Sequence, residues 1–445
     1  MIVIKFGGTS VQDSFWIDKA IDITNSMIDR APVLVASAMA KTTDRLINIA
    51  NCSFQKNKEG IIETIDILKK VHIDAAEAFL TGENLAAALK SLNTLFDQLS
   101  SLSRGLYLLQ ECSPKSSDTL LSFGERLSTL LIYHRIIERK IDAELLDSRD
   151  FIITDDNFSN AAPIFKITNP KIREFVKPQK GKIIIAQGFI GSSEEGHITT
   201  LGRSGSDYTA AIIGSALDAE EVQIWTDVDG ILTTDPRIVS DAKRIENISY
   251  AEAAELAFFG AKVVHPSTIQ PAVEKKIPVI VKNTKNPDSP GTAIIDKTSG
   301  TGLTGISGKK NITLINITSS RMLNAYGFLS RIFQIFSKYK TPVDLISTSE
   351  VSVSMTIEDV RNVGLILTEL EQIGKTTVEY NNGIICLVGK NIWKDSSLIS
   401  DIFKTLYPAS VKMISLGASE VNLSMVLPQD EIDETIKKLH KSFFK

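Results

Sequence analysis

Cysteine is scarce in this chain of 445 residues, which contains only Cys52, Cys112 and Cys386. An odd and widely spaced set of cysteines excludes a disulfide framework and a CxxC metal site. We therefore predict no metal ligands from the protein itself. The scarcity of cysteine also fits the reducing environment of the cytoplasm, which is the expected location.

Long apolar runs and an excess of one charge are also missing. No segment approaches the ~20 apolar residues that span a bilayer, and residues 1–8 lack the basic leader and cleavage site of a signal peptide. The 49 Lys and Arg residues nearly balance the 53 Asp and Glu residues. Binding to membranes or nucleic acid is therefore not expected, and small-molecule chemistry is favoured.

The sequence does contain an alternation of strand-like apolar runs with longer helical patterns. This alternation is typical of an α/β fold in which helices flank a mainly parallel sheet. Ligands of such sheets bind beyond the carboxyl ends of the strands, so the segments that follow the strands are candidate sites. The predicted strands cover residues 2–6, 33–36, 182–186, 222–225 and 279–281.

In the C-terminal third the pattern changes to an internal repeat. Residues 343–347 resemble 411–415, and residues 349–355 resemble 419–425, at offsets of 68 and 70 residues. Each copy has the order strand, helix, strand, strand, helix, which is typical of a ferredoxin-like α+β module. The repeat alone fits either a sensor or two small packed domains. The predicted domains are 1–295, 311–380 and 381–445, with a linker at 296–310.

The first predicted strand ends in a segment suited to an anion. Lys5 is followed by Gly7 and Gly8, whose backbone N–H groups can approach a phosphate without obstruction by a Cβ atom. The segment is not a Walker A loop, because the lysine precedes the glycines.

Two further segments place charged residues next to predicted helices. Arg203 offers a planar fork for a carboxylate or phosphate, and Asp207 can stand at the start of a helix over 210–216. The alternative for this segment is a glycine-rich turn with a capping aspartate. Glu125 precedes another apolar helix, where it either favours the helix dipole or receives a substrate ammonium.

Taken together and in order, six segments resemble the aspartate kinases of the amino acid kinase superfamily. The C-terminal repeat resembles the tandem ACT domains of that family, most closely those of its monofunctional, lysine-sensitive members. The resemblance covers nearly the whole chain. The six segments are 5–10 (KFGGTS), 124–126 (GER), 187–191 (QGFIG), 202–207 (GRSGSD), 225–230 (WTDVDG) and 233–237 (TTDPR).

The resemblance implies an amino acid kinase fold followed by two ferredoxin-like ACT domains. It also implies transfer of the ATP γ-phosphoryl group to the β-carboxylate of aspartate, the first step of lysine, threonine and methionine biosynthesis through diaminopimelate. Because this carboxylate is ionised near neutral pH, positioning and charge neutralisation suffice without a general base. Mg²⁺ would be held mainly by the ATP phosphates.

The resemblance also assigns roles to residues. Lys5, Gly8 and Asp207 are the expected catalytic residues, with Asp207 orienting Lys5. Arg203 is expected to pair with the α-carboxylate of aspartate and Glu125 with its ammonium. The expected aspartate site consists of Ser37, Thr43, Glu125, Arg203 and Ser206. The expected ATP site consists of Lys5, Phe6, Gly7, Gly8, Thr226, Asp227, Leu232, Arg237, Lys262 and Val263.

The first copy of the repeat resembles the effector-binding copy of the family. It presents Asp344 where the second copy has Lys412, so only the first can pair a carboxylate with a cationic effector; the alternative is an ordinary surface acid. We expect lysine as the inhibitor, with threonine or both amino acids as the alternatives, and a homodimer or homotetramer formed through the ACT domains. The expected effector residues are Met322, Gly327, Phe328, Leu329, Asp344, Ser349 and Glu350.

Two residues depart from the family pattern. Ser204 and Lys41 stand where glycine is usual, so their loops can differ in shape from those of the family.

The alternative functions are another amino acid kinase and an inactive sensor. A kinase for glutamate or acetylglutamate would share the glycine-rich start, but not the 202–207 segment combined with two ACT copies. An inactive amino acid sensor would not need the intact set of charged residues. A fused homoserine dehydrogenase is not expected, because the chain ends soon after the second repeat.

Overall fold

A computed structural model of the chain describes residues 1–260, 264–298, 302–323 and 326–444. By its internal contacts the chain divides into two compact units. The segment 232–262, which the sequence pattern placed inside a continuous first domain, groups with the C-terminal part. The first unit is Met1–Ile231 with Val263–Asp296, and the second is Leu232–Lys262 with Lys297–Lys445.

The secondary structure of the described residues follows in chain order. The strands are β1 (Ile2–Phe6), β2 (Pro32–Ala36), β3 (Asp142–Leu145), β4 (Ile153–Thr154), β5 (Lys182–Gln187), β6 (Ile190–Ser193), β7 (Ile198–Thr200), β8 (Glu221–Thr226), β9 (Asn247–Ser249), β10 (Val279–Asn283), β11 (Thr292–Ile295), β12 (Gly302–Thr318), β13 (Ile346–Thr348), β14 (Ser352–Ile357), β15 (Lys375–Lys390), β16 (Met413–Leu416) and β17 (Asn422–Pro428). The helices are α1 (Ser14–Asn25), α2 (Thr42–Phe54), α3 (Lys58–Phe79), α4 (Gly82–Leu109), α5 (Pro114–Leu121), α6 (Phe123–Glu138), α7 (Phe165–Phe175), α8 (Gly205–Ala216), α9 (Tyr250–Phe258), α10 (Gln270–Glu274), α11 (Phe328–Lys338), α12 (Val363–Leu370), α13 (Ser396–Leu406) and α14 (Ile432–Phe443).

Several helices begin where the sequence supplies a cap. The side chain of Asp13 accepts the backbone N–H of Trp16 at the start of α1, at 3.0 Å. Ser113 caps α5 in the same way, and Pro114 occupies the first turn of that helix. Proline suits this position because the first N–H groups of a helix have no partner within the helix.

Strands of the first unit form one sheet in the order β3-β5-β2-β1-β8-β10-β11. Each neighbouring pair is parallel except β10 with β11. All five predicted strands lie in this sheet, which confirms the predicted α/β class. Every residue of β1 and β2 is buried, which explains why these strands read as nearly continuous apolar runs.

Helices cover both faces of this sheet. Ile4 of β1 and Leu34 of β2 share a core with α1, α2, α3, α4 and α6. Neighbouring residues of a strand point to opposite faces, and Val3 accordingly contacts α8 on the other side. There Gly214 of α8 lies so close to the sheet that an added Cβ would stand 2.6 Å from Val222 Cγ2 and 3.7 Å from Val3 Cγ2. The position of α8 therefore depends on the absence of a side chain at Gly214.

The second unit contains an antiparallel sheet in the order β13-β14-β12-β15-β17-β16. Its two central strands, β12 and β15, are long enough to serve both copies of the repeat. The part of β12 from residue 313 onward pairs with β14, whereas the part of β15 from residue 382 onward pairs with β17. The two predicted ferredoxin-like modules are therefore joined into one continuous sheet.

The predicted linker at 296–310 is wrong for residues 302–310, which form the first part of β12 and pair with β15. Glycine and serine in this segment made it resemble a loop. Gly308 instead allows close packing, because a Cβ added to it would stand 2.6 Å from Ile436 Cδ1 of α14. The second copy thus takes a strand from before the first copy, and the predicted ranges 311–380 and 381–445 are not separate units of the sheet.

Among the described residues, no helix combines the length and the apolar character needed to cross a membrane.

The contact between α8 and the sheet can be tested by filling its space. We expect Gly214→Val to lower the free energy of unfolding by about 1–3 kcal/mol, because the added atoms push α8 away from β8. As a control, Gly105→Ala in α4 meets no atom within 4 Å and should stabilise the chain by about 0.5–1 kcal/mol. Urea unfolding of both variants measures these changes, and an unaltered transition in Gly214→Val would contradict the packing described.

Candidate active site

A cavity of about 450 Å³ lies in the first unit. Segments that follow the carboxyl ends of the adjacent strands β1, β2 and β5 contribute to it, which is the place where parallel sheets bind ligands. The structure brings together on this one cavity all the residues expected for catalysis and for the amino acid substrate. They are Lys5, Gly8, Ser37, Thr43, Glu125, Arg203, Ser206 and Asp207.

A buried ion pair stands in the cavity wall. Lys5 Nζ lies 2.6 Å from Asp207 Oδ1, and the two side chains are only 11% and 8% exposed. Lys5 comes from β1, and Asp207 from the first turn of α8. A side chain on Gly8 would stand 2.9 Å from the carbonyl oxygen of Ala38. The glycine therefore allows the loops after β1 and β2 to approach each other beside the lysine.

Glu125 is a buried carboxylate with unused hydrogen-bonding capacity. Its Oε1 accepts the backbone N–H of Ala38 at 3.1 Å, whereas its buried Oε2 has no hydrogen-bond partner among the described residues. Burial raises the pKa of Glu125 to about 8, although the Ala38 hydrogen bond and the charge of Lys5 act in the opposite direction. A buried carboxylate oxygen without a partner calls for a donor or a cation from a ligand.

Arg203 is exposed at the mouth of the cavity. Within the described part of the chain its guanidinium makes no hydrogen bond or ion pair, so it is available to an anion. Its loop has left-handed backbone on both sides, at Gly202 (φ 74°) and Ser204 (φ 56°). Lys41 is also left-handed (φ 65°). The two residues that replace the usual glycines thus keep a backbone conformation that glycine favours.

The residues expected at the ATP site are only partly brought together within one unit. Phe6 and Gly7 meet the end of β8, where Gly7 N donates to Trp225 O at 3.1 Å, next to Thr226 and Asp227. The other expected residues lie elsewhere: Leu232 and Arg237 belong to the second unit, and Lys262 and Val263 lie outside the described residues.

The residues expected at the effector site lie in the second unit. Gly327 is left-handed (φ 77°) and immediately precedes α11, Phe328 is buried in the core of the first copy, and Met322 packs against that core. Leu329 remains 39% exposed. Ser349 and Glu350 are exposed in the turn between β13 and β14.

Asp344 already has a cationic partner within the chain. Its largely buried carboxylate lies 3.6 Å from Lys309 Nζ, and Lys309 also lies 2.8 Å from Glu358. Burial raises the pKa of Asp344, while Lys309 acts to lower it. Lys309 could not be singled out from the sequence, because it falls in the segment predicted as a linker.

The second copy contains a similar ion pair with the charges exchanged. Lys412 Nζ lies 2.7 Å from Glu379 and 2.9 Å from the Asn382 side-chain oxygen. The two pairs occupy equivalent places in the sheet. Lys309 is paired with Ile384, and Glu379 is paired with Leu314. Ile384 follows Leu314 by 70 residues, which is the offset of the repeat. In both pairs, the charge of one copy is therefore neutralised by a residue on the strand segment of the other copy.

Comparison with known proteins agrees with this architecture. Residues 1–283 match the model of the amino acid kinase family, and residues 385–443 match an ACT domain. The chain is 36% identical to lysine-sensitive aspartokinase 3 of Escherichia coli, over 100% of this chain and 99% of the relative. It is 38% identical to chloroplastic aspartokinase 3 of Arabidopsis thaliana, over 99% of this chain and 81% of the relative.

The chain belongs to the aspartokinase family. Solved aspartokinases share its fold. The structure of E. coli aspartokinase III in complex with aspartate and ADP matches with a TM-score of 0.85 at 36% identity, covering 100% of both chains. The structure of the same enzyme with lysine and aspartate matches with a TM-score of 0.82, again over 100% of both chains.

One residue of the cavity wall and one buried acid elsewhere in the first unit were not singled out from the sequence. Phe189 lines the cavity in a left-handed conformation (φ 69°). The sequence signal that could have identified it is the segment 187–191, which contains it. Asp118 is fully buried and hydrogen-bonded to residues 159 and 200. Nothing in its local sequence indicates partners so distant along the chain.

The raised pKa of Glu125 predicts a specific effect of pH on stability. Its folded pKa of about 8 exceeds the ordinary value of about 4.3 that an unfolded chain retains. Between these values the folded state binds the additional proton, so this group lowers stability as pH rises. Glu125→Gln cannot lose a proton, and its thermal midpoint should rise relative to that of the unsubstituted protein between pH 5 and pH 8. Parallel midpoint curves for the two proteins would show that burial does not control this carboxyl.

Proposed function

We propose that this chain transfers the γ-phosphoryl group of ATP to the β-carboxylate of L-aspartate, giving ADP and 4-phospho-L-aspartate. One observation carries the proposal: a single cavity combines the Lys5–Asp207 ion pair, an unpartnered oxygen of Glu125 and the available guanidinium of Arg203. These groups match the charges of an amino acid and of a phosphoryl group. Membership of the aspartokinase family and the similarity to an aspartokinase in complex with aspartate and ADP support the same reaction.

Arg203 and Glu125 act as a clamp for the amino acid. The guanidinium pairs with the α-carboxylate, and the unpartnered Glu125 oxygen accepts the α-ammonium. A cation beside Glu125 would lower its pKa again and hold it ionised. Ser37, Thr43 and Ser206 add hydroxyl groups on the same cavity. The β-carboxylate is left free to react.

The reaction requires positioning and charge neutralisation. The β-carboxylate is already ionised at neutral pH, so its oxygen can form the new O–P bond while the bond to the ADP oxygen breaks. Lys5 neutralises charge on the phosphoryl group, with Asp207 fixing the direction of the ammonium. Gly7 and Gly8 present backbone N–H groups at the same place.

ATP and Mg²⁺ complete the proposed reaction. In the first unit the nucleotide would contact Thr226 at the end of β8 and Asp227 directly after it; roles for Leu232, Arg237, Lys262 and Val263 stay predictions from the family resemblance. The described residues contain no group of three or more His, Cys, Asp or Glu side chains suited to a metal ion. We propose that Mg²⁺ is bound mainly by the ATP phosphates, whose charge it neutralises.

Lysine is the proposed inhibitor, bound by the first copy of the repeat. E. coli aspartokinase III has been solved in complex with lysine and aspartate. In this proposal the carboxylate of Asp344 binds the ammonium of the effector. An incoming cation must therefore displace Lys309 from Asp344. Lys309 also lies 2.8 Å from Glu358 and can stay paired with it. We further propose a cytoplasmic enzyme that forms a homodimer or homotetramer through its ACT domains.

The reaction is tested by measuring ADP release with aspartate, glutamate and acetylglutamate. We expect turnover with aspartate, and Lys5→Ala should lower kcat by about 100-fold or more, because the charge that stabilises the phosphoryl group is lost. The matched control Lys180→Ala removes an exposed lysine and should have no effect. Turnover with glutamate alone would assign a different substrate, and full activity of Lys5→Ala would remove the proposed role of this lysine.

The effector proposal predicts opposite effects for the two members of one ion pair. Asp344→Asn should raise the lysine concentration for half-inhibition at least tenfold, whereas Lys309→Met should lower it by removing the competing cation. Lys412→Met, in the second copy, should leave inhibition by lysine unaltered. Titration of ADP release with lysine measures all three variants, with threonine titrated in parallel. Equal loss of inhibition in Asp344→Asn and Lys309→Met would instead make the ion pair structural.

A further inference from the structure

Asp118 is a buried acid that hydrogen-bonds to two distant segments of the first unit. It lies in α5 and is 0% exposed. One carboxylate oxygen, Oδ2, accepts the backbone N–H groups of Ser159 and Thr200, each at 2.9 Å. The other, Oδ1, accepts the Thr200 hydroxyl at 2.8 Å. The carboxylate therefore joins three parts of the first unit that are distant in sequence.

Two of these parts hold the loop that carries Arg203. Thr200 ends β7, three residues before the arginine. Ser159 precedes Asn160, whose side-chain oxygen lies against Gly202, 2.4 Å from where a Cβ would stand. Because the Arg203 side chain has no partner within the described residues, its position depends on the backbone of this loop. The loop is in turn fastened to Asp118.

The third part leads directly to Glu125, at the other end of the proposed substrate clamp. The carbonyl oxygen of Asp118 accepts Ser122 N at 3.0 Å, and α6 begins at the next residue with Glu125 in its first turn. The segment 118–125 therefore supplies one acid that fastens the Arg203 loop and another that faces the cavity. A short, hydrogen-bonded connection of this kind fixes the separation between the two clamp residues.

We propose that Asp118 is a positioning residue that sets the distance between Arg203 and Glu125 and thereby the recognition of the α-carboxylate and α-ammonium of the amino acid substrate. The inference rests on the proposed function, in which those two residues hold these groups. Asp118 touches neither substrate. Its effect is therefore expected on the binding of the amino acid and not on that of ATP.

Asp118→Ala and Asp118→Asn test this inference in the full-length protein. Misplacing a binding group by about 1 Å can cost up to about 100-fold, so Asp118→Ala should raise the KM for aspartate about tenfold or more. The KM for ATP should stay within about twofold. Asp118→Asn should have a smaller effect, because its amide oxygen can still accept both backbone N–H groups. If the alanine variant does not fold, the asparagine variant carries the same comparison.

Asn84→Ala separates positioning from general destabilisation. Asn84 also makes three hydrogen bonds between helices, to the His134 carbonyl oxygen, the His134 ring and Glu138, at the end of α6 remote from Glu125. This control should lower the thermal midpoint without altering the KM for aspartate. Equal increases in the KM values for aspartate and ATP in the Asp118 variants, or an equal increase for aspartate in Asn84→Ala, would overturn the inference.

A double variant tests whether Asp118 acts through the arginine. In the Arg203→Ala background, Asp118→Ala should raise the KM for aspartate no further than about twofold, since coupled residues are non-additive. Multiplicative effects would overturn the proposed route. The unsubstituted protein shows separately whether aspartate is phosphorylated at all. A failure there concerns the proposed function, whereas a failure confined to the Asp118 variants concerns this inference.

Discussion

The ion pair between Lys5 and Asp207 is the interaction on which the cavity depends. Both side chains are almost entirely buried, and a buried charge that loses its partner costs several kcal/mol. The pair forms only when the first turn of α8 lies beside β1. Gly214 permits that approach, because any larger residue would meet Val222. Packing on one face of the sheet thus determines where the ammonium of Lys5 lies in the cavity wall.

The other charged groups of the cavity are left incomplete by the fold. Glu125 has an unused buried oxygen, and Arg203 is free of side-chain partners within the described residues. The buried oxygen of Glu125 is costly unless a ligand completes it, whereas the exposed guanidinium of Arg203 is solvated until an anion binds. The arrangement is therefore preorganised for a molecule that carries an ammonium and a carboxylate, with a further acidic group reaching the lysine. Fixed charges of this kind need no rearrangement when the substrate binds.

In the second unit, strand register determines how the two copies of the repeat handle charge. β12 and β15 are shared by both copies, and their pairing places Lys309 beside Asp344 and Glu379 beside Lys412. The difference between Asp344 and Lys412, which indicated a cationic effector, is matched by a second difference of opposite sign. At the proposed effector site, lysine would therefore compete with an internal cation instead of meeting a free carboxylate, and its affinity would depend on that exchange.

The local sequence determined the strands of the parallel sheet, the order of the glycine-rich and charged segments and the existence of the repeat, because each produces a pattern among neighbouring residues. The sequence pattern did not predict the strand in the predicted linker, since a glycine such as Gly308 resembles a loop residue but allows close packing against α14, which lies far along the chain. Only the tertiary structure decided the partners of Asp118 and Lys309 and the raised pKa of Glu125. Those properties depend on burial and on contacts such as that between Asp118 and Thr200, 82 residues apart, and no local pattern contains them.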